Sequence, residues 1–405
     1  MDVMLSIFGP TTPGEDPPRV AAGVRQAGAN WLLFFTSLYH GYRLLLRRYP
    51  QRAIYSLEAD RVYWEPDPAA YKDCAVRPQR SLDAPDIDLV AALSAACKAE
   101  GVKLSALIPM CAGEWLAQDH PDLAVTNLYG SKDRLFLCYN HPDVRAYRFA
   151  MLRDLAGRYD LDAIMLDKIP QSQLESAALN GLFDPPLRTV GSFCICEHCR
   201  RRAAQSGLDL DEVRARAIEI AGRSLRIPPH VVAALGDQLI GDTEIPLLLL
   251  EEPLIRGMLE FRFDTAVEFV AQARQVVQSL RPGLPVWAAF VPPAHIGHDM
   301  ISSRSWLSVQ SYRKYREAVD GLLCVVHWPA DVVRFETERA VAAAEGKVRV
   351  MTSMRLYGAT RPEEVATLAE AALAGGSDGV SFLGYDVATD ELLRALRAWV
   401  DAKGR

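Results

Sequence analysis

Short apolar runs alternate along the chain with longer stretches of helical periodicity. The runs fall at 3–8, 31–36, 103–110, 162–167, 285–291, 321–328, 348–354 and 379–386, and helical patterns occupy 17–28, 86–100, 142–158, 253–280, 331–345, 361–374 and 389–402. Runs that are apolar on both faces are what parallel strands buried under helices look like, and the helices supply the crossovers between them. Eight strands, each followed by a helix, are the number that closes a barrel. No G-x-G-x-x-G follows the first run, which counts against an open dinucleotide-binding sheet. The pattern therefore predicts an α/β chain folded as one (β/α)8 TIM barrel over residues 1–405. Two connections are long. Residues 37–84 hold an extra strand at 53–57, and residues 168–284 form an insertion after strand four. Insertions of this kind sit on the C-terminal face of a barrel, where ligands bind.

Composition narrows the partners. The net charge of −6 advertises no basic surface for nucleic acid or anionic lipid. The most apolar stretch, "IPLLLLEEPLIRGML", is interrupted by two glutamates and is unfit to span a bilayer. The start, "MDVMLSIFGP", has no basic segment ahead of a long apolar run, so the expectation is a cytoplasmic protein without a membrane partner. Self-association into a homo-oligomer is compatible with all of this.

In that compartment clustered cysteines point to a metal more than to disulfides. Cys194, Cys196 and Cys199 form C-x-C-x-x-C within "FCICEHC". Three thiolates on one tight loop converge on one ion, and zinc favours four such ligands in a tetrahedron. For the fourth, His198 lies within the loop, Cys138 lies just before the helix leading to strand four, and Cys111 lies just past strand three; Cys138 is the first choice. A closed four-thiolate site has no open position for water, so it holds structure and does not catalyse. The expectation is a structural zinc tying down an insertion with few apolar residues around it.

Catalytic candidates are acids at the C-terminal ends of strands. Asp167 follows the apolar "AIML" and ends strand four. Glu114 follows strand three and Asp299 follows strand five; these are the preferred partners for a two-carboxylate mechanism. Asp60 beside Glu58, Asp331 and Asp386 are further rim acids. Glu58, Trp115, His298, His327, Trp328, Arg355 and Asp386 are candidates for substrate binding, through hydrogen bonds or, for the tryptophans, stacking on a sugar face. His295 and His298 lack a nearby third ligand for a catalytic metal, and no G-x-S-x-G supports a serine hydrolase.

The segments "LCYNHPDVRAY" and "SFCICEHCRRRA" together resemble the central part of the glycoside hydrolase family 42 β-galactosidases. In that family a cysteine before an Asn-x-Pro helix start joins a C-x-C-x-x-C loop to bind structural zinc. The resemblance implies Cys138, Cys194, Cys196 and Cys199 as ligands. The stretches "RVYWEPDPAAY", "HPDLAVTNLYG" and "NHPDVRAY" are more similar still to glycosidase-like barrel proteins described as family-10-like glycosyl hydrolases, over residues 55–210. That implies a (β/α)8 barrel and a saccharide or glycoside substrate. One departure stands out: family 42 ends strand four with Asn-Glu, whose Glu is the acid/base, whereas this chain ends it with "MLDKI". In barrel glycosidases acting on α-linkages an Asp after strand four is the nucleophile. Asp167 is thus expected to be nucleophile or general acid/base of a glycoside hydrolase; the alternative is a barrel that binds a saccharide without cleaving it.

Overall fold

Eight parallel strands hydrogen-bond around a closed ring in which every neighbour in space is a neighbour in sequence order. They are β1 Asp2–Phe8, β2 Trp31–Phe35, β3 Lys103–Pro109, β4 Ala163–Asp167, β5 Val286–Phe290, β6 Gly321–Val325, β7 Arg349–Arg355 and β8 Gly379–Leu383. The ring closes where Asp2 to Leu5 of β1 align with Gly379 to Phe382 of β8. This computed structural model describes residues 1–8, 16–38, 41–46, 54–169, 185–226, 228, 230, 244–290, 309–327, 329–358 and 360–404. The crossover helices are α1 Pro17–Gln26, α2 Leu89–Glu100, α3 Pro142–Arg158, α4 Pro253–Leu280, α5 Tyr312–Tyr315, α6 Ala330–Ala344, α7 Pro362–Ala374 and α8 Asp390–Lys403. The barrel expected from the alternating pattern is present. Strand six is shorter than expected, ending at Val325 and leaving His327 two residues beyond it.

Successive side chains of a strand point to opposite faces, so alternation sorts the barrel positions. Leu32 and Phe34, Ile164 and Leu166, and Leu322 and Cys324 are fully buried and belong to the outer, helix-facing set. That set is identified by contacts: Thr352 Oγ1 meets Thr337 Oγ1 of α6 at 2.9 Å, and Cys324 Sγ lies 3.8 Å from the Glu336 carbonyl of the same helix. The alternate set fills the barrel. At its lower end Lys103 Nζ sits 4.8 Å over the Trp31 ring, and Arg349 sits 5.6 Å over Trp287 and pairs with Asp2 at 2.8 Å. Gly321 belongs to this layer, and a Cβ there would lie 2.4 Å from the Trp287 ring. By the same alternation Asp167, two residues past Met165, and Arg355, two past Ser353, turn into the mouth at the C-terminal end.

The long connections carry their own structure. After β2, Tyr42–Leu44 pairs antiparallel with Ile54–Ser56, the extra strand expected there, and Arg61–Val62 pairs with Gln79–Arg80. This connection is anchored on the fully buried Asp154 of α3, which accepts hydrogen bonds from Trp64 Nε1 (2.9 Å), Asp67 N (3.1 Å), the Tyr71 hydroxyl (3.1 Å) and Arg158 (2.8 Å). After β4, the described helices Pro185–Gly191, Glu197–Gln205, Leu210–Ser224 and Glu244–Glu251 precede α4. Val190, Phe193, Ile195, Val213, Ile255 and Met258 form an apolar core there, separate from that of the barrel. The expectation of an apolar-poor insertion is therefore corrected: its hydrophobic residues are spread through the sequence and meet only when the helices pack.

Candidate active site and thiolate cluster

The end of β4 is tied to the turn after β3. Met110 N donates to the Asp167 carbonyl at 2.7 Å, and Cys111 N donates to that of Lys168 at 3.0 Å. Lys168 adopts φ +48°, a left-handed conformation rare for a side-chain-bearing residue and frequent at functional turns. The buried Arg148 of α3 braces the same turn, donating Nε to the Met110 carbonyl at 3.1 Å and a terminal nitrogen to that of Ala112. Burial pushes the Asp167 carboxyl above the ordinary carboxylate range, while the charge and backbone N–H of Lys168 act the other way.

Glu114 and Trp115 open the short helix Glu114–Asp119 above β3. Gly113 immediately before it is held against Leu137, where a Cβ would come within 2.5 Å of that side chain. Asp60 caps the helix: it is 2 % exposed, has φ +59°, and accepts the Trp115 N–H at 3.0 Å. Burial raises its pKa to about 6, opposed by Arg148 and by the N–H groups of Trp115 and Leu116 and reinforced by Glu114. Of the two acids in "EAD", Asp60 is thus the one aimed at this region. Glu58 accepts from the Ser81 hydroxyl and from Leu82 N (2.9 Å) and fastens a loop. Local sequence carried no signal for this difference, because the caps and partners of Asp60 come from residues 55 to 88 positions away.

The remaining rim residues fall in different places. His327 and Arg355 line a cavity of about 260 Å³ together with Met354, Thr360 and Glu364, and the His327 ring meets Tyr357 edge-on at 6.4 Å. Asp386 is fully buried and accepts Phe8 N at 2.9 Å, pinning the end of β1. Asp331 lies in the first turn of α6. His295, His298, Asp299 and Trp328 lie outside the described residues.

The cysteines converge. The sulfurs of Cys138, Cys194, Cys196 and Cys199 all lie within 4.8 Å of one another, and Cys138 Sγ is 3.5, 3.6 and 3.8 Å from those of Cys199, Cys196 and Cys194. Four thiolates at about 2.3 Å from a central ion would stand about 3.8 Å apart in a tetrahedron, so the donor set fits a metal. Asn140 Nδ2 and Thr126 N each approach a sulfur, Cys199 and Cys194 respectively, at 3.4 Å, as outer groups around thiolate sites do. Hydrogen bonds from neighbouring thiols, Cys138 first, hold the Cys196 thiol low, and hydrogen bonding with Cys194, then Cys196 and Cys199, pushes Cys138 up. Cys111 and His198 are not part of the set.

Similar chains among solved structures include alpha-L-fucosidase isoenzyme 2 from Paenibacillus thiaminolyticus (15 % identity, TM-score 0.58, covering 100 % of this chain and 50 % of that one). A beta-galactosidase from the psychrophilic Marinomonas ef1 follows (10 %, 0.56, 100 % and 60 %), as does the catalytic domain of a beta-amylase from Paenibacillus polymyxa (12 %, 0.56, 100 % and 99 %). The barrel is similar to those of glycoside hydrolases. At these identities the likeness is one of fold, and the chain spans only half to three-fifths of the length of the first two. No protein-family model and no curated protein matches the sequence. Among the described residues no helix is long and apolar enough to cross a membrane.

Proposed function

We propose that the protein is a glycoside hydrolase in which Asp167 is one of the two catalytic carboxyls and that the four cysteines hold a structural zinc. The observation that carries the first part is Asp167 itself: an inward-turned, half-buried acid at the end of β4, beside a turn locked by Arg148. A carboxyl raised by burial suits proton donation to a leaving oxygen, the general-acid role, and its activity would fall as pH climbs past that raised value. Glu114, capped into place beside the same turn, and Asp299 are the candidates for the second carboxyl. A separation of about 5 Å would give retention and about 6.5–9.5 Å inversion. Arg355, at the end of β7, and Trp115, beside Glu114, are the residues proposed to bind the sugar. Zinc is proposed for the thiolates because a closed set of four soft ligands is its structural preference. The cluster ties α3's leading turn to the insertion and leaves no position for a substrate.

The test is a panel of aryl-glycosides and oligosaccharides offered to the wild type and to Asp167→Asn. A glycoside cleaved by the wild type and cleaved at least a hundredfold more slowly by the variant is the expected result. Equal rates would reject Asp167. Saccharide binding without turnover by the wild type would favour the non-hydrolytic reading, which the "MLDKI" sequence in place of Asn-Glu keeps open.

A further inference from the structure

The cavity of about 260 Å³ that holds His327 and Arg355 lies between the ends of β6 and β7 and the N-terminal halves of α6 and α7, with Ala330 of α6 and Leu368 of α7 on its walls. Its volume is close to the lower end, about 300 Å³, of the range that takes small organic ligands.

Arg355 is the last residue of β7 and is half-buried. Its backbone is fixed, because its carbonyl accepts the Thr360 hydroxyl at 3.3 Å. Its guanidinium makes no hydrogen bond and no ion pair among the described residues. Glu364, in the same lining, feels the Arg355 charge but is engaged elsewhere. It accepts Arg361 N at 2.8 Å and a terminal nitrogen of Arg361 at 3.0 Å. These bonds, the backbone one first, hold its carboxyl below the ordinary range, and the Arg355 charge adds a smaller share.

A guanidinium drawn out of water without a counter-charge is unfavourable, and its planar fork of donors matches a carboxylate in a bidentate pair. The walls around it are apolar: Val326, Met354 and Leu368 are buried. A pair formed against such walls is stronger than one in water. His327 lines the same cavity, and its imidazole supplies a further hydrogen-bonding nitrogen. The charges in the lining select among anions. One arginine beside one ionised Glu364 suits a monoanion, whereas a phosphate dianion would be repelled more strongly by Glu364.

We infer that this cavity binds the carboxylate of a small organic acid, with Arg355 as its counter-ion and His327 as a second polar contact. This sharpens the role of Arg355 from a partner of sugar hydroxyls to a partner of a charged group. It makes no use of Asp167 and stands whether or not the barrel cleaves glycosides.

The experiment uses two matched pairs of probes, glucuronate against glucuronamide and cyclohexanecarboxylate against cyclohexanecarboxamide, each pair differing in charge at one group. They are titrated calorimetrically into the wild type, Arg355→Met and Arg355→Lys at neutral pH, with glucose 6-phosphate as the dianionic control and the melting temperature recorded for every protein. The wild type should bind at least one acid roughly tenfold to a hundredfold more tightly than its amide. Arg355→Met should lose that preference, and Arg355→Lys, which keeps the charge but not the fork, should retain only part of it. Equal binding of acid and amide by the wild type in both pairs, or a preference that survives in Arg355→Met, would overturn the inference. Tighter binding of glucose 6-phosphate than of either acid would overturn the choice of a carboxylate. If Arg355→Met melts too early to be titrated, Arg355→Lys decides, and a full wild-type preference in that variant would overturn the inference.

Discussion

Replacing Cys138 with serine removes one corner of the thiolate tetrahedron and separates the two halves it joins. Cys138 precedes α3, whereas the other three sulfurs come from the loop leading into Glu197–Gln205 and the first turn of that helix, more than fifty residues later. The three separations from Cys138, 3.5–3.8 Å, match the edge expected around a zinc ion. Structural zinc sites bind with about 10–16 kcal/mol, or roughly 2.5–4 kcal/mol for each of four ligands, so the variant should hold zinc about a hundredfold to a thousandfold more weakly. The assay is metal content after dialysis and again after a chelator challenge, with thermal melting alongside. The wild type should retain one zinc per chain under a chelator concentration that strips Cys138→Ser. The variant's melting should acquire an early step from the insertion helices, whose core is separate from that of the barrel. Cys111→Ser should match the wild type, because Cys111 is outside the cluster. A wild type that contains no metal, or a Cys138→Ser protein with undiminished zinc retention, would refute the assignment.

Three further outcomes follow from the packing. Asp60→Asn keeps an acceptor for Trp115 N–H and removes a carboxyl whose pKa is raised to about 6 from 3.8. The folded state binds this proton more tightly than the unfolded state, so wild-type stability should drop by about 3 kcal/mol between roughly pH 4 and pH 6 relative to the variant; parallel pH–stability curves in urea unfolding would contradict this. Asp154→Ala strands Trp64 Nε1, Asp67 N, the Tyr71 hydroxyl and Arg158 and should destabilise by about 3–5 kcal/mol, whereas a change within the error of denaturant titration would show the anchor to be dispensable. Gly321→Ala brings a methyl 2.4 Å from the Trp287 ring and should lower stability by about 1–3 kcal/mol; a neutral or stabilising effect would mean that the lower barrel layer has room to relax.

The barrel was legible along the chain because its strands are short runs apolar on both faces and most of its long helices carry an apolar face; both are local properties of five to thirty residues. The C-x-C-x-x-C loop was legible for the same reason, and so was Asp167, which is simply the acid at the end of an apolar run. Tertiary structure decided everything that depends on partners brought from afar. It brought Cys138 to a loop some sixty residues later, Asp60 to the helix start at Trp115 and to Arg148, and Asp386 to Phe8, 378 residues away. It also separated acids that look alike in sequence. Glu58 and Asp386 are engaged in fastening loop and strand, while Asp167 faces the mouth by strand parity. The periodicity of a chain reports which face is buried, but not which residue of another element will meet it, because that is set by how the elements pack and not by their own preferences.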